Sequence, residues 1–146
     1  MIRKIQPEDY VTVARFWRDY LDISTATDES VSRTFEKMSR DSRYSTYVAE
    51  EDGKVIGFIT FVEVLSIDDP DGYIRINGIA VQPEYRNRGI GTQLIARAEE
   101  TAHERGSNSI GVASVFSRTK THELYEHLGY RKSAYWFHKN LDRRKA

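Results

Sequence analysis

An apolar strand pattern that runs into a proline-started loop and turns at once into a helical pattern constrains this chain most. The segment reads Ile79-Ala80-Val81-Gln82-Pro83-Glu84-Tyr85-Arg86-Asn87-Arg88-Gly89-Ile90-Gly91-Thr92. Glycine lets backbone N–H groups come close to a ligand. A helix N-terminus adds unpaired N–H donors and partial positive charge. With Arg86 and Arg88 alongside, these features make a diphosphate cradle. No Gly-Lys-Ser/Thr follows the glycines, so this is not a Walker A loop, and the third glycine of the dinucleotide fingerprint is missing.

The rest of the chain supplies the frame. Its 146 residues suit one domain, 1–146, with a sizeable core. Lys plus Arg equals Asp plus Glu at 22 each. A general nucleic-acid or membrane-surface role, which needs a basic face, is therefore disfavoured. The tail Arg143-Arg144-Lys145 reads as solvated. The absence of cysteine excludes disulfides, thiolate metal sites and a cysteine nucleophile. With no long apolar run at the N-terminus, a soluble cytoplasmic protein is expected.

Periodicity places the elements. Ile2 to Ile5 reads as a strand. Tyr10, Val13, Ala14, Trp17 and Leu21 share one helical face, and Val31, Phe35 and Met38 mark a second helix with Ser30 or Asp28 as cap. Tyr44 to Glu50 and Val55 to Leu65 read as strands joined by a turn at Asp52-Gly53. Ile67 to Gly72 reads as a loop, and Tyr73 to Gln82 as a strand. Ile90, Leu94, Ile95, Ala98 and Ala102 face one way on a third helix that Gly106 ends. Ser109 to Val115 is a strand, Thr121 to Leu128 a short helix stopped by Gly129, and Tyr130 to Leu141 one or two closing strands.

The order Arg86-x-x-Gly89-x-Gly91, preceded by Val81-x-Pro83-x-Tyr85, resembles the acyl-CoA loop of the GNAT superfamily of N-acetyltransferases. Glu123-Leu124-Tyr125-Glu126-His127-Leu128-Gly129-Tyr130 is similar to that family's closing helix. The resemblance implies an α/β (α+β) GNAT fold. Its central mixed, mostly antiparallel sheet of six to seven strands would be flanked by about four helices and splayed at the strand before the loop. It implies acetyl transfer from acetyl-CoA to an amine, without a metal. His103, His127 and His138 show no metal-ligand spacing.

The resemblance also assigns roles. Gly78 is a plausible bulge residue, since glycine in a strand often marks one. Ile79, Ala80 and Val81 would meet the pantetheine arm, with the Val81 N–H donating to the thioester carbonyl. One such donor is typically worth about 3 kcal/mol of barrier. Backbone groups from Arg88 through Gly89, Ile90 and Gly91 to Thr92 would hold the diphosphate, with Arg86 and Asn87 in the same loop. Arg118 and His122, four residues apart on one helix face, would help bind CoA or the acceptor. Tyr125 would be the general acid, since a phenol of pKa about 10 is not ionised at neutral pH and can donate a hydrogen bond or proton to a leaving thiolate.

The general base stays open. Many family members carry Glu or Asp four residues before the Val81 position, where this chain has Asn77. Glu63 on the neighbouring strand is a carboxylate substitute, and equally an outward-facing strand residue. A water chain through Asn77 is a third route. The acceptor site in this fold is built from the first two helices, which here offer Trp17, Tyr20, Asp22, Asp28 and Glu29, together with Asn77 and the acidic loop Asp68 to Asp71. Acid at the mouth would favour a cationic amine. A homodimer stays open, and so does a second reading as a non-catalytic acyl-CoA-binding module.

Overall fold

Alternating apolar residues in four long segments demand a sheet with two covered faces. The computed structural model describes residues 1–114 and 118–141. Val115, at the end of one expected strand, and the tail Arg143-Arg144-Lys145 lie outside the described residues. The fold falls into two units, Met1–Val112 and Ala113–Ala146.

The first unit contains five strands, β1 (Ile2–Lys4), β2 (Tyr44–Glu51), β3 (Lys54–Ser66), β4 (Asp69–Val81) and β5 (Ser109–Val112). They lie in the order β1-β2-β3-β4-β5. Every pairing is antiparallel except that of β4 with β5, which is parallel. Three helices accompany them, α1 (Tyr10–Tyr20), α2 (Asp28–Ser39) and α3 (Ile90–Glu104). Val48, Phe58 and Ala80 point to one sheet face, where they pack with Tyr10, Val13 and Phe16 of α1 and Phe35 of α2. On the opposite face a methyl group at Gly57 would stand 3.5 Å from Leu94 Cδ1 of α3, and the Arg97 guanidinium of α3 lies 4.8 Å from the Tyr47 ring centroid. The second unit contains α4 (Thr119–His127), followed by Gly129 at φ 93°.

The local signals act as their chemistry dictates. Asp52 at φ 51° and Gly53 at φ 77° supply the two positive angles that a tight hairpin between β2 and β3 needs. The cap of α2 is neither Ser30 nor Asp28 but Thr27, whose Oγ1 accepts the Ser30 N–H at 3.0 Å. The loop expected at residues 67–72 is shorter, because β4 begins at Asp69. The α/β class and mostly antiparallel sheet are as expected, but the described residues form five strands where six to seven were expected. Residues 130–141 carry strand-like composition without a ladder. Propensity measures fit to a pleated surface, and a strand also needs a neighbour to accept its hydrogen bonds.

The first turn of chain is clamped to the sheet by Arg3. Its terminal nitrogens donate to both Asp9 oxygens at 2.8 and 3.0 Å, and its Nε donates to Glu50 at 2.7 Å. Burial pushes the Asp9 carboxyl up, but the Arg3 hydrogen bonds, the Gln6 N–H and the Arg3 charge together outweigh it and leave it below the ordinary value. A carboxyl depressed on folding contributes stability above its unfolded pKa of about 3.9 and loses it as pH falls through the folded value. Arg3→Ala leaves Asp9 buried and unpaired. Because the Arg3 side chain is itself 27% exposed, we expect a loss of about 2–3 kcal/mol in urea denaturation at neutral pH. In the variant the Gln6 N–H still opposes burial, but without Arg3 the Asp9 carboxyl rises, so the gap from wild type should narrow as pH falls below about 4. An equal gap in acid would assign the loss to packing of the Arg3 stem.

Candidate active site

The register of β4 on β3 shifts near its start, between Val64 and Ser66, and again in its middle, at a single residue. Thr60 stands opposite Gly78 and Phe61 opposite Ile76, so Asn77 is an extra residue without a partner on β3. The bulge expected at Gly78 is therefore carried by Asn77, with Gly78 beside it. Gly78 meets a different need. A methyl group there would stand 2.5 Å from Cζ2 and Cη2 of Trp17, so α1 lays its indole against bare backbone.

The bulge coincides with the parting of two strands. β5 follows β4 from Tyr73 opposite Ser109 to Ile76 opposite Val112, and among the described residues pairs with it no further. On the β3 side, the Gln82 N–H donates to the Ile56 carbonyl at 2.7 Å. Antiparallel pairs alternate between bonded and non-bonded, so Ala80 and Gly78 also turn their amides to β3. The amides of Ile79 and Val81 point the other way, to the side that β5 has left. Such groups need partners outside the ladder, from water or a ligand.

Immediately downstream the chain gathers positive charge. Arg86 Nε donates to the Val81 carbonyl at 2.9 Å, and its guanidinium lies 5.7 Å from the Tyr20 ring centroid. Arg88 lies 5.2 Å from the Tyr85 ring centroid. Asn87 at φ 64° and Gly89 at φ 81° take left-handed angles, and Gly89 caps α3. A side chain at Gly89 would meet nothing within 4 Å, so glycine serves the backbone angle and keeps the approach open. The Gln93 N–H bonds the Gly89 carbonyl at 3.0 Å. The amides of Ile90, Gly91 and Thr92 come before that first helical bond and end the helix with donors.

Within α4 and its approach, Arg118, His122 and Tyr125 share one face. Tyr125 is buried, with its ring 5.6 Å from that of Tyr130. Burial pushes its phenol up to about 12, and the Arg118 charge pulls the other way. The phenol therefore keeps its proton throughout the neutral range.

Glu63 has a different setting. Its carboxylate lies 3.4 Å from Arg105, at the end of α3, and Arg105 also donates to the Ser42 carbonyl at 2.8 Å. Side chains alternate along a strand. Glu63 thus shares the α3 face with Phe61 and Ile59, while Thr60 and Gly78 turn to the face covered by Trp17. Asn77 is exposed.

A groove of about 270 Å³ opens between α1, α2 and β3, lined by Trp17, Ile23, Thr25, Ala26, Ser30, Val31, Thr34, Phe35, Met38 and Thr60. Of the residues expected to meet an acceptor, Trp17 lines it, whereas Tyr20 and Glu29 lie outside its lining. Tyr20 sits under Arg86, and Glu29 is exposed in the first turn of α2. Asp28 pairs with Arg18 at 2.8 Å, and Asp69 accepts from Asn108 at 2.7 Å. The sequence reading missed most of the wall. Val31, Phe35 and Met38 carry the helical period of a core face, and a groove beside a core has the same period.

Comparison with known proteins follows this geometry. Residues 10–130 match the model of the acetyltransferase (GNAT) family. The uncharacterised N-acetyltransferase YhfO of Bacillus subtilis is 25% identical over 139 residues, covering 94% of this chain and 93% of that protein. The aminoalkylphosphonate N-acetyltransferase of Salmonella typhimurium is 30% identical over 94 residues, covering 64% of this chain and 61% of that protein. Among solved structures, the aminoglycoside N-acetyltransferase AAC(6')-Iy in complex with CoA superimposes with a TM-score of 0.84 at 18% identity, over 97% of this chain and 93% of that one.

Proposed function

The chain belongs to the acetyltransferase (GNAT) family and is an acyltransferase, and on that premise we propose that it moves an acetyl group from acetyl-CoA to a primary amine by direct transfer. One observation carries the reading. The amides of Ile79 and Val81 turn to the side β5 has left, and the same strand leads at once into a cationic helix start.

The residues present fit an acyl-CoA. An open approach at Gly89 and the first amides of α3 suit a diphosphate, and Arg86 and Arg88 add charge. Acetyl-CoA would supply an activated acetyl group as a thioester. The Val81 N–H would meet the oxygen on which charge develops, because its direction is set by the ladder and costs nothing to reorganise. Asn87 would keep the loop in its left-handed turn. By resemblance to the family, Arg118 and His122 would help bind CoA or the acceptor. Tyr125 would donate a hydrogen bond or proton to the departing thiolate, and burial keeps its phenol protonated at neutral pH.

For the amine proton, the geometry favours water relayed past Asn77 over Glu63. Glu63 is engaged by Arg105 on the other sheet face, whereas Asn77 is exposed at the bulge. The groove under Trp17 would receive the acceptor.

A thiol-reporting assay with acetyl-CoA and a broad amine panel tests the activity directly, and silence across the panel would count against it. Gly91→Glu sets a negative charge against the diphosphate, so CoA binding by calorimetry should weaken by at least about tenfold. Wild-type affinity in the folded variant would remove the loop from the site. Tyr125→Phe keeps the ring and deletes the proton donor, so turnover should fall by about 10²-fold or more with CoA affinity little changed. Unaltered turnover with chemistry rate-limiting would leave Tyr125 structural. Glu63→Gln should leave the shape of the pH–rate profile unchanged. A loss confined to neutral pH and recovered in alkali would instead make Glu63 the base.

A further inference from the structure

The groove under Trp17 is walled by groups that offer little to a cation. Val31, Phe35 and Met38 present hydrocarbon and sulfur. Three of the four hydroxyls among them bond inside the protein. Ser30 donates to the carbonyls of Thr25 and Thr27 at 3.3 and 3.2 Å, and Thr34 donates to the Ser30 carbonyl at 2.8 Å. Thr60 and Thr46 bond each other at 2.8 Å. No carboxylate is among the lining residues; Asp28 is drawn to Arg18, and Glu29, next in chain to Ser30, is exposed in the first turn of α2. A second ammonium placed here would lose its water and gain no carboxylate, only ring faces and hydroxyl oxygens.

The groove also reaches toward the reacting end of the site. Trp17 and Thr60 line it, Thr60 pairs with Gly78, and Trp17 covers Gly78. Its Trp17–Thr60 wall therefore backs onto the bulge, where Asn77 and the outward amide of Ile79 lie. Its volume of about 270 Å³ matches roughly nine water molecules at ~30 Å³ each, enough for a short hydrocarbon body.

We propose that the acceptor is a monoamine with an uncharged apolar body, its chain or ring seated under Trp17 and its amino group at the Asn77–Gly78 bulge. This departs from the cationic acceptor that the acidic residues of the sequence suggest. The inference rests on the acetyl-transfer reading for the fate of the amine, but not for what fills the groove.

The test reads binding and turnover separately. The chain has two tryptophans, so Trp136→Phe leaves Trp17 as the reporter. Hexylamine and cadaverine, similar in length but differing in one end group, are titrated against its emission without acetyl-CoA and then assayed for thiol release with it. Hexylamine should shift the Trp17 emission and exceed cadaverine by at least about tenfold in kcat/KM. Removing methylenes from the alkylamine should cost about fourfold each. Thr34→Asp, at an exposed position of the wall, should turn the preference toward cadaverine. An emission shift with hexylamine but thiol release from no amine would uphold the groove's occupant and remove acetyl transfer. Turnover of cadaverine equal to or above that of hexylamine, or an emission unmoved by hexylamine, would overturn the proposal while leaving acetyl transfer intact.

Discussion

The contact between the Trp17 indole and the bare backbone of Gly78 joins the groove to the bulge in β4. Trp17 is held from behind by Phe58, 5.6 Å away between ring centroids, and Phe58 in turn packs on Phe16. These aromatic contacts belong to the main core, so the indole cannot retreat without opening packing that fills the sheet face. Gly78 is small because the core puts a ring there. Asn77 beside it absorbs the extra residue that changes the register.

That one-residue change has two consequences. It re-aims the strand, so that β4 continues along β3 while β5 ends its pairing. It also leaves Ile79 and Val81 with amides that the sheet does not use. Backbone donors fixed by a ladder are rigid, and they serve a ligand at little entropic cost. Arg86 ties the same strand end to the loop by holding the Val81 carbonyl.

Charge shows why a whole-chain sum is a poor guide to a site. The chain is formally neutral, yet its acids and bases are distributed unevenly. Asp9, Asp28 and Glu63 each sit in an ion pair with an arginine. Arg86 and Arg88 instead lie over tyrosine rings beside the start of α3, where the helix adds its own partial positive charge. A neutral protein thus builds a local field suited to an anion.

What could be read from the chain alone is what a few neighbouring residues settle among themselves. Asp52-Gly53 makes its hairpin and the Gly89 angle opens α3, because allowed backbone angles depend on the residue itself. The apolar faces of α1 and α3 follow from a helical period. Thr27 was missed as a cap only because several hydroxyl and acidic residues crowd the start of α2, and the choice among them rests on where the chain enters the helix. Three features were decided by tertiary structure. Asn77 became the extra residue because the register on β3 was set by packing, not by the strand's own composition. Glu63 found its cation 42 residues away, at the end of a helix whose position only the sheet determines. Val31, Phe35 and Met38 line a groove where their spacing suggests a sealed core, since whether an apolar face is covered depends on how closely a neighbouring element approaches.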